Sequence, residues 1–303
     1  MRVFVTGASG HIGGALTADL LSAGHQVVGL ARSDASAAKL AALGAEVRRG
    51  DLDDLDGLAD AARDSDGVIH LAFRHDLAFT GEMDRATKIN LTAIETLGDA
   101  LAGTGKPLVI AGGTLMLAFA HLGRAGTEDD VLPSDGTRVD SENAAIALAE
   151  RGVRASVVRL TPTVHSSLDT QGFIPMLIGT ARRTGVSAYV GDGANRWPAV
   201  DTRDAARLFR LAVESAPAGT RLHAVADEGV AFRDIATSIG RYLDIRVTSL
   251  SAEEAAGHFG PLGGMVTLDN PSSSAKTRQL LGWEPTHAGL IDDIAQGHYF
   301  TES

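Results

Sequence analysis

Short apolar runs alternate with segments of helical periodicity over residues 1–160. The apolar runs predict buried parallel strands at Val3–Val5, Gln26–Leu30, Ala45–Arg48, Gly67–Leu71, Pro107–Ala111 and Ala155–Leu160. The segments between them predict helices at Ile12–Ala23, Ala35–Leu43, Leu55–Ala62, Arg85–Leu101 and Arg138–Ala149. Alternation of this kind predicts an α/β fold with a doubly wound parallel (Rossmann) sheet and helices on both faces.

The alternation becomes less regular after residue 160. Helical spacing predicts helices at Phe173–Arg183, Thr202–Ser215, Phe232–Leu243, Ala252–Ala256, Ala275–Leu281 and His287–Gln296. Short apolar runs predict scattered strands at Ala188–Val190, Leu222–Val225 and Arg246–Ser249. We therefore expect residues 1–160 to form a Rossmann core and residues 161–303 to form a smaller α+β lobe, with some of its elements returning to the core.

The composition excludes several classes of protein. The chain has 303 residues, 44% of them hydrophobic, which is enough to form a core without metal or disulfide support. It has no cysteine, so a disulfide framework, a thiolate metal site and a cysteine nucleophile are excluded. A net charge of −11 without a Lys/Arg cluster argues against nucleic acid as a partner. No apolar run approaches the ~20 residues that span a bilayer, and the N-terminus lacks a signal-peptide pattern, so we expect a cytoplasmic protein without a membrane partner.

A glycine-rich turn, Thr6-Gly7-Ala8-Ser9-Gly10-His11-Ile12-Gly13, separates the first predicted strand from the first predicted helix. In this context one glycine permits a tight turn, the next permits close approach of a pyrophosphate, and the third permits close packing of helix on strand. The N–H groups at the start of the helix would then bind the phosphates. We therefore predict that Gly7, Ser9, Gly10, His11, Ile12 and Gly13 bind a dinucleotide; the alternative is an ordinary strand–turn–helix.

The Gly-x-x-Gly-x-x-Gly spacing after Thr6 resembles the short-chain dehydrogenase/reductase superfamily, in particular its extended, epimerase/dehydratase-like branch. Further segments carry the resemblance in order along the chain: Gly50-Asp51-Leu52, His70-Leu71-Ala72-Phe73, Asn90, Arg159-Leu160-Thr161-Pro162-Thr163-Val164, Val200-Asp201-Thr202-Arg203-Asp204-Ala205-Ala206 and Leu281-Gly282-Trp283-Glu284-Pro285. The resemblance implies cofactor contacts at Asp51, Leu52, Leu71, Ala72, Phe73, Asn90, Pro162 and Thr163. It also implies a small-molecule substrate and a homodimer formed through the fourth and fifth predicted helices.

The end of the second predicted strand bears on the choice of cofactor. An acid there binds the ribose of NAD, whereas an Arg binds the 2′-phosphate of NADP. The segment Ala31-Arg32-Ser33-Asp34 lacks an acid at its first position, and Arg32 and Ser33 offer a charged fork and a hydroxyl. We favour NADP(H) over NAD(H), although Asp34 stands at about the distance of a ribose acid, and either Ser33 or Asp34 suits the N-cap of the next helix.

The catalytic positions depart from the superfamily's pattern. Most members carry Tyr-x-x-x-Lys, but the three tyrosines here, Tyr189, Tyr242 and Tyr299, do not begin such a motif. Alignment with the family places Arg138 at the Tyr position and Glu142 at the Lys position, and Thr114 offers a hydroxyl near the family's serine. Arginine has a pKa above about 12 and cannot supply a proton, but it can polarise a carbonyl or bind a carboxylate. Glu142 can serve as an acid only if burial raises its pKa; the alternative is a solvated ion pair between Arg138 and Glu142.

Histidines are further candidates, because imidazole titrates near neutrality. His75 follows the cofactor-lining strand and His165 follows the Pro162-Thr163-Val164 segment, while His121 is a weaker candidate. Each is also compatible with a structural role. The apolar and aromatic residues Phe173, Tyr189 and Trp197 are candidate substrate contacts that favour a hydrophobic substrate, and their alternative role is packing within the small lobe.

Three functions follow in order of preference. The first is an NADP-dependent oxidoreductase of the carbonyl reductase or alcohol dehydrogenase type, acting on a small, hydrophobic carbonyl compound and using no metal. The second is a non-catalytic NAD(P)-binding sensor or regulator. The third, a nucleotide-sugar epimerase or dehydratase, ranks last because it requires the same Tyr and Lys.

Overall fold

The computed structural model describes residues 1–78 and 80–301. Its strands, in chain order, are β1 (Arg2–Thr6), β2 (Gln26–Ala31), β3 (Glu46–Arg49), β4 (Gly67–His70), β5 (Pro107–Gly113), β6 (Arg154–Leu160), β7 (Thr163–His165), β8 (Val186–Val190), β9 (Arg196–Asp201), β10 (Thr220–Ala224), β11 (Asp227–Ala231) and β12 (Arg246–Leu250). A seven-stranded parallel sheet has the order β10-β6-β5-β4-β1-β2-β3. This arrangement confirms the predicted Rossmann-type α/β fold.

The helices surround this sheet and build a smaller lobe. They are α1 (His11–Ser22), α2 (Asp34–Leu43), α3 (Leu55–Arg63), α4 (His75–Ala78), α5 (Met83–Leu101), α6 (Leu115–Ala118), α7 (Arg138–Ala147), α8 (Phe173–Thr184), α9 (Thr202–Ser215), α10 (Phe232–Leu243), α11 (Ala252–Phe259), α12 (Ala275–Leu281) and α13 (Leu290–Ala295). Single 3₁₀ turns follow at Leu148–Arg151, Gly260–Leu262 and His298–Phe300. No helix in residues 1–78 or 80–301 is long and apolar enough to cross a membrane.

The alternation of side chains along each strand produces two apolar layers. Val3 and Val5 of β1 pack with Leu16 of α1 and Phe209 of α9 on one face of the sheet. Phe4, between them, packs on the opposite face with residues of α3, α5 and α7. Because both faces are covered by helices, the strands are apolar on both sides and read as continuous apolar runs.

The order of the strands reverses between β1 and β4. The chain crosses from β1 to β2 and β3 on one side, and then returns to β4 and β5 on the other. The carboxyl ends of adjacent parallel strands at such a reversal form a crevice, which is the ordinary ligand site of open α/β sheets. The loops after β1 and β4 therefore define the region in which a site is to be sought.

The C-terminal half contributes to both parts of the molecule. Strand β10 pairs with β6 in the main sheet, and α9 packs on that sheet beside α1. The smaller lobe contains a three-stranded sheet (β11-β9-β7), a two-stranded sheet (β12-β8) and a separate apolar core around Trp197 and Phe232. The strands β7, β9 and β11 were not predicted from the sequence.

Candidate active site

The glycine turn lies at the carboxyl end of β1, directly against the loop after β4. Gly7 has φ of +70°, and a Cβ at this position would lie 2.8 Å from the amide nitrogen of Ala72. A Cβ at Gly13 would lie 2.0 Å from the carbonyl oxygen of Gly7, so α1 packs on the turn at a distance that only glycine permits. A Cβ at Gly10 would lie 3.2 Å from the carbonyl oxygen of Gly7 and would meet no other atom within 4 Å. The turn thus forms a backbone cradle that side chains would fill.

His11 and Ile12 begin α1 and are half-buried beside the turn. The Nε2 atom of His11 lies 2.7 Å from the Oγ1 atom of Thr202, so the His11 side chain faces α9 and leaves its backbone for a ligand. Burial lowers the pKa of His11, although Asp169 and Asp201 oppose this shift. Ser9 is also half-buried in the turn.

A chain of hydrogen bonds leads from the crevice to α7. Thr6 accepts from the amide of Ala72 (3.2 Å), and its Oγ1 lies 2.8 Å from Nδ1 of His70. Nε2 of His70 lies 3.1 Å from Oδ1 of Asn90, whose Nδ2 donates to Ser141 (2.9 Å). Asn90 is buried and uses both ends of its amide in this chain, so its side chain holds β4, α5 and α7 together and is not turned toward a cofactor.

His70 is neutral at physiological pH. Burial lowers its pKa to about 4, and the hydrogen bond with Asn90 only partly opposes this shift. The Asn90 oxygen requires a proton on Nε2, which leaves Nδ1 to accept from the Thr6 hydroxyl. The orientation of each group in the chain is therefore fixed.

An open groove of about 560 Å³ lies beyond the ends of β2 and β3. Its lining residues are Ala31, Arg32, Ser33, Asp34, Arg49, Gly50, Asp51 and Asp54. Ser33 is the N-cap of α2 and accepts from the amide of Ser36 (3.1 Å). The carboxylate of Asp34 is paired with Arg49, and exposed Arg32 lies 3.8 Å from Asp76. The groove thus has two arginines and three acids, Asp34, Asp51 and Asp54, and the carboxylate of Asp34 is paired with Arg49.

Arg49 was missed in the sequence analysis. The segment Val47-Arg48-Arg49-Gly50-Asp51 could have indicated it, because Arg49 is a basic residue at the end of the strand that pairs with β2. Asp51, which follows it, accepts from the amide of Asp53 (2.9 Å). Leu52 is 5% exposed and belongs to the apolar core, so only its backbone is available to a ligand.

Three candidate residues meet where the loop after β4 approaches the start of α7. The Cζ atom of Arg138 lies 4.4 Å from the centroid of the Phe73 ring. The ring of His75 lies 5.1 Å from that of Phe73 in an edge-to-face arrangement. His75 is exposed, but the protein atoms packed around part of its ring lower its pKa, the Arg138 charge lowers it further, and Asp76 partly opposes both. Leu71 and Ala72, which precede Phe73, are half-buried against the core.

Glu142 does not satisfy the condition that a general acid requires. It is buried and accepts from Arg159 (2.6 and 2.9 Å) and from Arg221 (2.6 Å). Burial alone would raise its pKa, but the two guanidinium groups outweigh burial and hold the pKa of Glu142 below its usual range. Glu142 is therefore an ionised structural group. It also does not pair with Arg138, so the proposed i,i+4 ion pair is absent from the described residues.

Thr114 and His165 are likewise buried away from solvent. The hydroxyl of Thr114 accepts from Nδ2 of Asn270 (3.2 Å), and the residue has no exposed surface. Nδ1 of His165 lies 3.0 Å from Asp293, and its Nε2 is buried without a hydrogen-bond partner among the described residues. Asp201 lies within 4.8 Å of this pair but is already paired with Arg203. These positions correct the expectation that Thr114 and His165 face a substrate.

The segment before His165 also uses its side chains internally. The hydroxyl of Thr163 donates to the carbonyl of Pro198 (2.6 Å), and Thr163 is buried. Pro162, beside it, is half-buried. Their backbone, at the carboxyl end of β6, is the part that remains available to a cofactor.

The aromatic residues suggested as substrate contacts pack in or against the core of the small lobe. Trp197 is fully buried, and its ring lies 5.6 Å from Phe173 and 5.0 Å from Phe232. Tyr189 packs on the same core from β8. Packing, the alternative explanation, accounts for Trp197, whereas half-buried Phe173 and Tyr189 stay candidate substrate contacts.

The fold and the glycine cradle define a Rossmann-type protein with a dinucleotide crevice at its strand reversal. Residues 3–225 match the model of the NAD dependent epimerase/dehydratase family, and the chain belongs to this family. It is 48% identical to an uncharacterised protein of Schizosaccharomyces pombe, over 99% of this chain and 100% of the relative.

Two further comparisons extend this relationship. The chain is 27% identical to a sterol-4-alpha-carboxylate 3-dehydrogenase (decarboxylating) of Dictyostelium discoideum, over 78% of this chain and 74% of the relative. Its structure resembles a double mutant of the dTDP-glucose 4,6-dehydratase DesIV of Streptomyces venezuelae with NAD and DAU bound, at a TM-score of 0.78 and 21% identity, covering 98% of this chain and 96% of that one. At this identity the structural likeness supports the fold alone.

Proposed function

We propose that the protein is an NADP(H)-dependent oxidoreductase that interconverts a small carbonyl compound and its alcohol. The observation that carries the proposal is the meeting of Arg138, Phe73 and His75 at the strand reversal, next to the glycine cradle. The match to a family of NAD-dependent enzymes and the likeness to a sterol-carboxylate dehydrogenase support it. Half-buried Phe173 and Tyr189 remain candidate contacts for a hydrophobic part of the substrate, whereas Trp197 belongs to the core.

The residues present fit a dinucleotide. The turn at Gly7 and Gly13 has no room for side chains, while the open side of Gly10 leaves space for a pyrophosphate. The groove beyond β2 and β3 would hold the adenosine end. Arg32 and Arg49 would bind a 2′-phosphate there, since Asp34 is already neutralised by Arg49. This arrangement supports NADP(H) over NAD(H).

The bound cofactor would supply or accept the hydride. Arg138 would polarise the carbonyl oxygen of the substrate and stabilise the negative charge that develops on it. His75 would accept the proton of the alcohol, because its lowered pKa keeps the imidazole neutral at physiological pH. It would return that proton in the direction of carbonyl reduction, and because the protonated imidazole is lost as the pH rises through its lowered pKa, we expect reduction to slow already as the pH rises from below 6.5.

Calorimetric titration with NADP⁺, NADPH, NAD⁺ and NADH tests the cofactor assignment directly. A panel of small aldehydes, ketones and 2-oxo acids then tests the oxidoreductase activity. Turnover is measured as the loss of NADPH absorbance. We expect NADPH to bind more tightly than NADH and to be oxidised by at least one substrate. Binding without turnover across the panel would instead favour a non-catalytic sensor.

A further inference from the structure

The side chain of Arg138 has no anionic partner within residues 1–78 and 80–301. It makes no hydrogen bond or ion pair with these residues, and its guanidinium lies over the face of Phe73. The side chain keeps some accessible surface, but protein atoms crowd its guanidinium, and burial lowers its pKa. A desolvated charge of this kind is costly unless something compensates it.

The acids near this side chain are engaged elsewhere. Glu142, one turn along α7, is held by Arg159 and Arg221. Asp140 accepts from the amides of Asp135 and Gly136 (3.0 and 3.1 Å). Asp76 is paired with Arg74 through contacts of 2.8–3.1 Å. The histidines on the same side, His70 and His75, have lowered pKa values and supply no negative charge.

Arg138 lies beside the crevice, over the ring of Phe73. It is the first residue of α7, so the positive end of that helix adds to the guanidinium. Its partner ring, Phe73, directly follows the Leu71-Ala72 segment that packs on the glycine turn. A guanidinium stacked on a ring keeps its in-plane N–H groups for other partners, and their fork matches the two oxygens of a carboxylate.

We propose that the substrate of this oxidoreductase is a carboxylic acid anion, of the 2-oxo acid or 2-hydroxy acid class, and that Arg138 binds its carboxylate at the Phe73 face. The inference rests on the proposed oxidoreductase function. A carboxylate next to the reacting carbon would place the carbonyl oxygen within reach of the same guanidinium, so one residue would both select the substrate and polarise it. Neutral carbonyl compounds would leave the Arg138 charge uncompensated and would bind more weakly.

Matched pairs of acid and ester test the proposal. Pyruvate and phenylglyoxylate are each compared with their methyl esters, which keep the ketone and remove the charge. Binding is measured calorimetrically on the protein saturated with NADP⁺, and separately without cofactor. We expect at least one acid to bind 10-fold or more tightly than its ester. Arg138→Met should erase this preference and Arg138→Lys should retain part of it. Equal binding of acid and ester, no binding of either acid, or a preference that survives in Arg138→Met would overturn the proposal.

Stability separates a binding role from a structural one. Removing a desolvated, unpaired cation should leave the melting temperature of Arg138→Met unchanged or raise it, in parallel with the loss of acid binding. Arg63→Met is the matched control, because Arg63 is an exposed arginine paired with Asp60 and should change neither property. A fall in melting temperature of Arg138→Met with unchanged acid affinity would show that Arg138 is structural and would overturn the assignment.

The outcomes also distinguish this inference from the function on which it rests. If NADPH is oxidised by neutral carbonyl compounds with no preference for acids, the oxidoreductase function is supported and the anion site is refuted. If the acids bind through Arg138 while NADPH is never oxidised, the anion site is supported and the oxidoreductase function is refuted.

Discussion

Two arginines at the ends of neighbouring strands define the chemistry of the nucleotide groove. Arg32 follows β2 and Arg49 ends β3, and both reach the rim of the groove with more than half of their side-chain surface exposed. The pairing of Arg49 with Asp34 removes the carboxylate that would otherwise bind a ribose hydroxyl and repel a phosphate. Asp51 and Asp54 line the same groove, so the proposed preference for NADP(H) depends on Arg32 and Arg49.

Truncation of either arginine should weaken NADP(H) and spare NAD(H). A hydrogen bond to a charged group contributes on the order of 1.5–3 kcal/mol, so we expect Arg32→Ala and Arg49→Ala each to weaken NADP⁺ binding by about 10-fold to 100-fold. NAD⁺ binding should stay within about 2-fold, since the lost contact is to the 2′-phosphate. Calorimetric titration of both cofactors on each variant measures the difference.

Asp34→Ala provides the converse test of the groove. Freed from its acid, Arg49 should bind NADP⁺ at least as tightly as before. If NAD⁺ binding is lost in Asp34→Ala while Arg32→Ala leaves NADP⁺ binding intact, Asp34 binds the ribose and the preference for NADP(H) is wrong. Arg63→Ala, remote from the groove, serves as the unaffected control.

Three glycines close together in the sequence should respond differently to substitution. In Gly10→Val the added side chain occupies the space open to a pyrophosphate, so dinucleotide binding should disappear while unfolding stays cooperative. In Gly13→Ala the new Cβ meets the Gly7 carbonyl, so stability itself should fall by about 2–3 kcal/mol. Gly14→Ala is the control, because a Cβ there meets nothing within 4 Å. Denaturant unfolding and calorimetry distinguish the three cases, and a folded Gly10→Val variant with unchanged affinity would contradict the cofactor site.

The sequence was informative about backbone chemistry and less so about side-chain partners. The glycine turn could be predicted because its spacing reports a steric requirement that Gly7 and Gly13 meet in the structure. Glu142 could not be assigned, because its partners Arg159 and Arg221 lie 17 and 79 residues away along the chain. Only the fold brings these charges together.

The helix–sheet contacts near the crevice are held by buried polar groups as well as by apolar packing. Through His70, the hydroxyl of Thr6 in β1 is connected to Asn90 in α5 and from there to Ser141 in α7. Glu142, the next residue of α7, binds the helix to β6 and β10 through Arg159 and Arg221. Arg138, at the start of the same helix, is thereby presented by an element with little freedom to shift.

The buried imidazole of His70 should make stability depend on pH. The unfolded chain binds a proton at this residue below pH 6.5, whereas the folded chain, with a pKa of about 4, does not. Stability that is present above pH 6.5 should therefore be lost as the pH falls toward 4, by up to about 3 kcal/mol. Denaturant unfolding at several pH values across this window measures the slope.

Variants of two histidines isolate this contribution. His70→Gln should give a shallower slope between pH 6.5 and 4.5, because one proton fewer is taken up on unfolding. His121→Asn should keep the slope of the parent, since His121 is exposed, and asparagine tolerates its left-handed backbone (φ 47°). An unchanged slope in His70→Gln would show that other groups produce the pH dependence.

The elements missed by the sequence analysis share a physical reason. β9 contains Pro198, which lacks an N–H and usually argues against a strand with neighbours on both sides. β11 contains Gly229, and its register shifts between Asp227 and Val230. β7 has only three residues. In each of these segments the apolar run that predicts strands elsewhere in the chain is short or interrupted.

The two halves of the molecule are joined behind the glycine turn. His11 contacts Thr202 at the start of α9, and the Thr202 hydroxyl donates to the carbonyl of His165 (3.1 Å). His165 pairs with Asp293, so α13 near the C-terminus is held against the same region. The candidate chemistry lies elsewhere, on the loop after β4 and the start of α7. The side chains around His165 therefore connect α1, α9 and α13 next to the glycine turn.

The three tyrosines lie in the C-terminal half, and each has structural contacts there. Tyr189 packs in the small lobe, the hydroxyl of Tyr242 donates to the carbonyl of Ala295 (2.6 Å), and the hydroxyl of Tyr299 accepts from the amide of Ser166 (3.1 Å). Burial raises the pKa of Tyr299 far above its usual range, which opposes any role in proton transfer near neutrality.

Replacing all three tyrosines by phenylalanine should therefore leave NADPH oxidation largely intact while lowering stability. The loss of the Tyr299 hydroxyl leaves the Ser166 amide unpaired, so we expect a cost of about 1–3 kcal/mol in unfolding free energy. The rate, measured at a temperature where the variant remains folded, should stay within about 10-fold of the parent, which corresponds to ~1.4 kcal/mol of barrier. A larger loss confined to one single Tyr→Phe variant would mean that a tyrosine of the C-terminal half reaches the reacting carbon, and that Arg138 and His75 do not form the whole of the catalytic site.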